Sequence, residues 1–498
     1  MIVRRKNRKL YEVAKQLPNN MKRVPLLEHC VNFIGDSSAR WEAIKELGDE
    51  AINARDGVTS IWLSYKLIAV VGDPEAAEVV MRTCLDKHEM MNVSRELIGN
   101  GSIFAPVAIW RPRRKFLAPT FAQKTLNNFV KVFSKQAIVL TDILNGVEGK
   151  GNFSIFEYIT KYSMDSVCET ALGIEMHTQS DPNHPVSKSF NEFCDLAAGR
   201  MVKPWFHSDF LYKWYWEFPK YASSANVMKN FVSEIIRLKR ESMMEQNNNE
   251  QNHEKTECDQ EMGRSKSFLE LLIESGGDRG FNDLELQEES LVMLLAGTDT
   301  SSVAASYTSL LLAKYPDVQE KLYREIQDVI KDPERPLEAS DLPKLKYLDA
   351  VVRESLRLYP PVPLIIRKVD KATTLPSGVT LVPGMGAVIH IWAIHRNPKY
   401  WGPDAHVFRP ERFLEDSLKH PYAFIPFSNG ARNCLGFQFA TMSIKTVMAQ
   451  IIRRYRILPP TVPDGEKTNQ LTDEELYLKF EVMLKHGGNF VLQLESRK

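Results

Sequence analysis

Between about Asp283 and Tyr315 the chain carries one helical pattern, closed by Pro316. About thirty residues at 1.5 Å each span roughly 45 Å, so a compact fold of this chain must be built around that rod. Its middle reads Ala296-Gly297-Thr298-Asp299-Thr300. A glycine, an acid and hydroxyls inside a mostly apolar helix are unfavourable unless they are used. Gly297 weakens the helix locally. The Thr300 hydroxyl competes for a backbone carbonyl, which predicts an opened turn and a polar notch at mid-helix. A salt-bridging Asp299 and a solvent-facing Thr300 are the plain alternative.

A second constraint lies near the C-terminus, in Phe424-Ile425-Pro426-Phe427-Ser428-Asn429-Gly430-Ala431-Arg432-Asn433-Cys434-Leu435-Gly436. Glycine, arginine and asparagine around one cysteine suit a turn that presents a ligand at the start of a helix. A helix beginning near Leu435 aims its free N–H groups at the Cys434 sulfur and favours thiolate. Gly430 permits a tight turn and Gly436 lets a flat partner come close. Arg432 brings a fixed charge and Phe427 shields one side. These features together suggest a haem held by a thiolate. The other five cysteines (Cys30, Cys84, Cys168, Cys194 and Cys258) are scattered without a C-x-x-C pair. That spacing argues against a disulfide framework and a structural zinc site.

The remaining stretches fall into place around these two. Ser37 to Glu50 is an amphipathic helical pattern, and Val58–Leu63 with Tyr65–Val71 reads as a hairpin. Asp73-Pro74-Glu75 starts a helix. Trp110 and Arg114 lie four apart and share a helix face, where an indole N–H and a guanidinium can bind a carboxylate. Pro112 between them requires the helix to begin nearby. Arg111, Arg113 and Lys115 make a basic face for an acidic partner. Residues 125 to 175 read as helices. Trp205, Phe206, Phe210, Leu211, Tyr212, Trp214, Tyr215, Trp216 and Phe218 cluster densely, as either core or a segment dipping into a membrane interface. The polar tract 241 to 266 reads as a surface loop. Glu354 and Arg357 are three apart on a helix, Arg412 follows downstream, and Val379 to Ile391 reads as short β pieces around Pro383-Gly384.

A net charge of +1 gives no argument for nucleic acid. No run of eighteen apolar residues is present, yet Arg4, Arg5, Lys6, Arg8 and Lys9 form the basic cluster that follows a membrane anchor. The expectation is a basic segment over 1–16, after an anchor absent from this chain, and one domain over 17–498. A mitochondrial presequence is the alternative for those first residues.

The order Phe427, Gly430, Arg432, Cys434, Gly436 resembles the haem-binding loop of the cytochrome P-450 family. The Trp110/Arg114 pair, the Ala296-Gly297-x-Asp299-Thr300 run and the Glu354, Arg357, Arg412 set resemble that family's further motifs, in its order, over about residues 17 to 490. The wording near Cys434 and in His395-Arg396-Asn397-Pro398 resembles the branch of fatty-acid ω-hydroxylases and their insect relatives. The resemblance implies a mainly α fold with a small β region, the long helix over haem b (iron protoporphyrin IX) and the Cys434 loop beneath it. It implies Cys434 as iron ligand, Asp299 and Thr300 as the proton-delivering acid and alcohol, and Glu354, Arg357 and Arg412 as a buried network pinning the Cys434 loop. Trp110, Arg114, Arg367 and Arg432 would hold the propionates, with Ala296, Phe427 and Gly436 against the porphyrin. It implies a monomeric monooxygenase of the endoplasmic reticulum membrane, on the cytosolic face. Its partners would be O2, an apolar small molecule, the membrane surface, and an NADPH-cytochrome reductase with cytochrome b5 as a further donor. One departure stands out: Ala296 occupies the position where many of those hydroxylases carry a glutamate that esterifies the haem. No covalent haem link through that position is expected.

Overall fold

The computed structural model describes residues 8–181, 183–201, 206, 208–252, 266–275, 280–332, 334–415, 418–461 and 476–497. Helices of eight residues or more are numbered α1 to α13 in chain order among these residues. Arg8–Gln16 (α1) buries Val13 against the first sheet, and Ser37–Asn53 (α2) is capped by Asp36, which accepts from the Ser38 and Ala39 N–H groups. The hairpin forms as expected, Val58–Leu63 (β1) with Lys66–Val71 (β2), turning at Ser64 in a left-handed conformation. Pro74–Thr83 (α3) starts behind the Asp73 cap. Val107–Leu117 (α4), Gln123–Leu144 (α5), Ile155–Val167 (α6) and Pro185–Met201 (α7) follow.

The polar tract departs from expectation. Phe218–Asn252 (α8) runs as one helix through Asn247, and the rest of the tract, 253–265, lies outside the described residues. Glu241, Met243, Met244 and Glu245 are good helix formers, and Arg237 pairs with Glu241 one turn on at 2.8 Å. Local propensity therefore outweighs the polar composition.

After Phe268–Ser275 (α9), the central rod is Asp283–Lys314 (α10), 32 residues long. Asn282 and Glu285 form a reciprocal capping box at its start. From Ser301 to Ala313 every residue is buried, as befits a helix surrounded on all sides. Pro316–Val329 (α11), Lys346–Leu358 (α12) and Phe437–Arg454 (α13) pack around it. A four-stranded sheet has the order β1, β2, Gly386–Ile389 (β4) and Ile365–Lys368 (β3); β2 and β4 are parallel and the other pairs antiparallel. Tyr455–Leu458 (β5) pairs with Val491–Ser496 (β8), and Leu478–Glu481 (β6) with Met483–His486 (β7) in a C-terminal hairpin turning at Val482.

Gly297 is used for contact, not only for weakness. A Cβ at that position would lie 2.9 Å from Val167 Cγ2, so the glycine lets α6 close on the central helix. Gly297→Ala should therefore lose about 1–2 kcal/mol, overpacking outweighing the gain in helix propensity. Denaturant melts of a double-mutant cycle with Val167→Ala should show a favourable coupling of about 1 kcal/mol or more.

Candidate functional site

The Cys434 loop is a strained turn held from three directions. Ser428 and Gly430 have positive φ (60° and 71°), and the Cys434 N–H donates to the Phe427 carbonyl at 2.8 Å, closing the loop on itself. The following helix begins at Phe437 with Gly436 as its first cap, two residues later than the sequence suggested. The Gly436 N–H does lower the Cys434 thiol, as does Arg114, but burial is the larger effect and leaves the thiol raised. The free chain thus favours the thiol, and the thiolate needs a stronger charge than a helix end supplies. The Cys434 side chain nonetheless keeps exposed surface, so it is not sealed in packed protein.

Behind the loop sits the expected trio, all buried. Arg357 donates from Nε and Nη2 to the two oxygens of Glu354, both at 2.7 Å, and Arg412 Nε donates to Glu354 at 3.2 Å. Arg357 Nη1 also donates to the His395 and Ala405 carbonyls at 2.9 and 2.5 Å, while Arg412 pairs with Asp404 at 3.0 Å. A carboxylate flanked by two guanidiniums and several carbonyls is a satisfied buried charge, and stripping out one member would strand the rest. The trio does not touch the loop's turn itself. Its link is His395: Nδ1 donates to the Arg357 carbonyl at 3.0 Å, and Nε2 accepts the Ile425 N–H at 2.8 Å. Those two partners fix the neutral tautomer. Burial and then Arg357 push His395 down to about 3. The sequence offered His395 only as part of a motif, with no sign of this bridging role.

On the other side lies a cluster of cations. Arg367, on β3, is fully buried, and none of its three guanidinium nitrogens has a hydrogen-bond partner among the described residues. Burial pushes it down to about 10. Lys87 is bridged to the same strand position, and burial, Arg367 and Arg432 drive its ammonium well below the ordinary lysine range. The sequence reading missed Lys87, which no motif marks. Arg432 lies 4.3 Å over the Trp110 ring, but its nitrogens donate to the Leu85, Ser102 and Ala105 carbonyls. Arg114, 5.9 Å over the same ring, donates to Asn433 beside the cysteine. So Trp110 and Arg114 do share a face, on a helix that starts at Val107 and carries Pro112 inside it. Arg113 departs from expectation: it is buried among Glu285, Glu288 and Glu289 of the central helix at 3.3, 2.8 and 3.1 Å, leaving Arg111 and Lys115 on the exposed face.

On the central helix, Thr300 donates to the Ala296 carbonyl at 2.6 Å, as expected, yet the helix stays continuous through that turn. Asp299 is nearly buried and pairs with Lys485 of β7 at 3.5 Å. Ala296 presents no carboxylate. At Gly436 a Cβ would find no heavy atom nearer than Phe121 at 3.8 Å, so the protein itself leaves that side roomy.

This set fits a haem. A buried guanidinium without a hydrogen-bond partner among the described residues, beside a second cation, suits a carboxylate-bearing group, and Cys434 keeps exposed surface. Residues 21–480 match the sequence profile described as Cytochrome P450. The chain is 29% identical to human Cytochrome P450 4V2 over 98% of its length and 91% of the relative's. It is 31% identical to cockroach (Blattella germanica) Cytochrome P450 4c21 over 78% and 77%, and 31% to the Drosophila melanogaster protein named Probable cytochrome P450 4p3 over 82% and 81%.

Two outcomes follow from the electrostatics. Arg367→Met removes a buried charge that has no hydrogen-bond partner among the described residues. The apoprotein should melt at the same denaturant concentration or higher, while haem dissociation becomes at least about tenfold faster. His395 and His390, pushed down to about 3 and about 4 by burial, are neutral in the fold and charge on unfolding below their ordinary 6.5. Their contribution is complete above about pH 7 and is lost as pH falls toward 4, roughly 1.4 kcal/mol per pH unit for each. Chemical melts from pH 6 to 5 should approach that slope, and His390→Gln should remove about one proton from it.

Proposed function

From the premise that the chain belongs to the cytochrome P450 family, we propose that this monooxygenase inserts one oxygen atom of O2 into an apolar small molecule. The substrate is of the fatty-acid, hormone-like lipid or xenobiotic kind, and the electrons come from NADPH through a reductase. The observation that carries the reading is the fully buried Arg367 guanidinium, without a hydrogen-bond partner among the described residues and close enough to Arg432 of the Cys434 loop to depress it.

Haem b bound through the Cys434 sulfur would supply the oxygen activation. Arg367 and Lys87, with Trp110, Arg114 and Arg432, would fix its propionates. The His395 bridge keeps Cys434 at one position relative to the trio. Thr300 has its proton on Ala296 O and its lone pairs free to accept, so it can take a proton from one side and pass one on. Asp299 is the acid beside it. Ala296 leaves the haem without an ester partner at that position.

The aromatic run divides into both of its readings. Tyr212 is buried among Phe206, Tyr215, Phe218 and Tyr221, with Arg200 4.4 Å over its ring. Phe210, Trp214 and Trp216 are 72%, 82% and 76% exposed, and Leu26 and Ile34 are exposed as well. Trp205 lies outside the described residues. Exposed indoles of this kind suit a membrane interface, where a lipid-soluble substrate would arrive. No helix among the described residues is long and apolar enough to cross a membrane. Attachment to the cytosolic face of the endoplasmic reticulum is the location that fits this surface.

The test is NADPH and O2 consumption by the haem-loaded protein with a purified reductase and a panel of lipids. Stoichiometric hydroxylated product supports the reading. Rearrangement of lipid hydroperoxides without reductase would favour an isomerase, and neither activity would leave a haem-binding protein without turnover. Thr300→Ala should retain haem but divert consumed O2 to peroxide by about tenfold or more. Mass spectrometry after denaturation should find the protein free of haem.

A further inference from the structure

Asp299 has a partner that no motif marks. Lys485 comes from the C-terminal hairpin, nearly two hundred residues away in sequence, and its ammonium lies 3.5 Å from Asp299 Oδ1 with both side chains close to fully buried. It also sits 5.2 Å over the Phe156 ring. Burial alone would lower this ammonium. Asp299 is the largest of the charges that offset burial and keep it charged, with Glu481 and Asp195 as smaller contributors. Asp299 comes from the central helix, Asp195 from α7 and Glu481 from the hairpin itself. Asp195 is exposed. Glu481 is half-buried and pairs with Lys479 at 3.1 Å.

We propose that Lys485 is a positioning residue that holds the Asp299 carboxylate in place for proton delivery. The inference rests on the reading of Asp299 and Thr300 as the proton-delivering pair. A carboxylate this deep needs a compensating cation to stay in place, and a cation on the hairpin holds it toward that hairpin. One proton from solvent converts the Asp299 carboxylate to the acid, and leaves from Asp299 to the Thr300 hydroxyl as Thr300 gives up its own toward the reacting oxygen. One proton enters and one leaves, with no electron moved. The hairpin backbone is itself anchored, the Leu484 N–H donating to the Pro361 carbonyl at 2.8 Å.

The experiment uses haem-loaded protein, purified reductase and NADPH, with dodecanoic acid as the probe ligand. It reads the fraction of consumed O2 recovered as hydrogen peroxide and the solvent deuterium isotope effect on NADPH oxidation. K485M should raise the peroxide fraction by about threefold or more and enlarge the isotope effect, with the thiolate spectrum unchanged. K485R should restore both toward the parent values, and K485Q gives a polar replacement if the methionine variant folds poorly. D299N should match K485M, and the double variant should be no worse than D299N alone. Parent-like values in K485M alongside a raised peroxide fraction in D299N would overturn the role of Lys485 alone. Parent-like values in D299N would overturn the proton-delivery reading beneath it.

Discussion

The hydrogen bond from the Ile425 N–H to His395 Nε2 is the point on which the site depends. It links the buried Glu354–Arg357–Arg412 trio to the chain that carries Cys434 by hydrogen bonds, beside the ring contacts of Arg357 with Trp401 and of Trp401 with Phe424. The trio is rigid because every member is charged, buried and satisfied. His395 transmits that rigidity because its two nitrogens face groups of opposite hydrogen-bonding character, so only one tautomer and one ring orientation fit. Cys434 therefore has its position set by a core ion network instead of by its own strained turn. A ligand to a metal gains from such support, since a thiolate free to swing would not hold one geometry.

The opposite wall is held by a different device. The central helix is fixed by packing along its second half and by Arg113 at its first, where one guanidinium meets three glutamates. Glu288 and Glu289 then accept from the Asn100 and Ser102 N–H groups, and Arg432 grips the carbonyls of Ser102 and Ala105 in the same segment. Residues 99 to 106 thus tie the central helix to the cysteine loop.

Much of this was legible from the chain because the informative signals are local. Periodicity marked the central helix to within a residue at either end. Turn chemistry placed the hairpin after Gly57, the Asp73 cap and the Cys434 loop. The Glu354–Arg357 spacing put both on one helix face. What escaped were partners joined only by the fold. His395, Lys87 and Lys485 are ordinary residues in sequence, and each becomes informative through a neighbour far away along the chain. Arg113 read as part of a basic face because its neighbours are basic, and nothing local tells that it points inward to glutamates 170 residues on. The tract after Glu241 was misread for the opposite reason, its polar composition hiding a local helix preference.

The central claim is that Cys434, held through His395, is the axial ligand of a bound haem. The most direct measurement is the absorption spectrum of the haem-loaded protein, reduced and saturated with carbon monoxide. A Soret band at the thiolate-type position is the result this account requires, and it should be lost in Cys434→Ala. A band at the position given by a nitrogen or thiol ligand in the parent protein would contradict it.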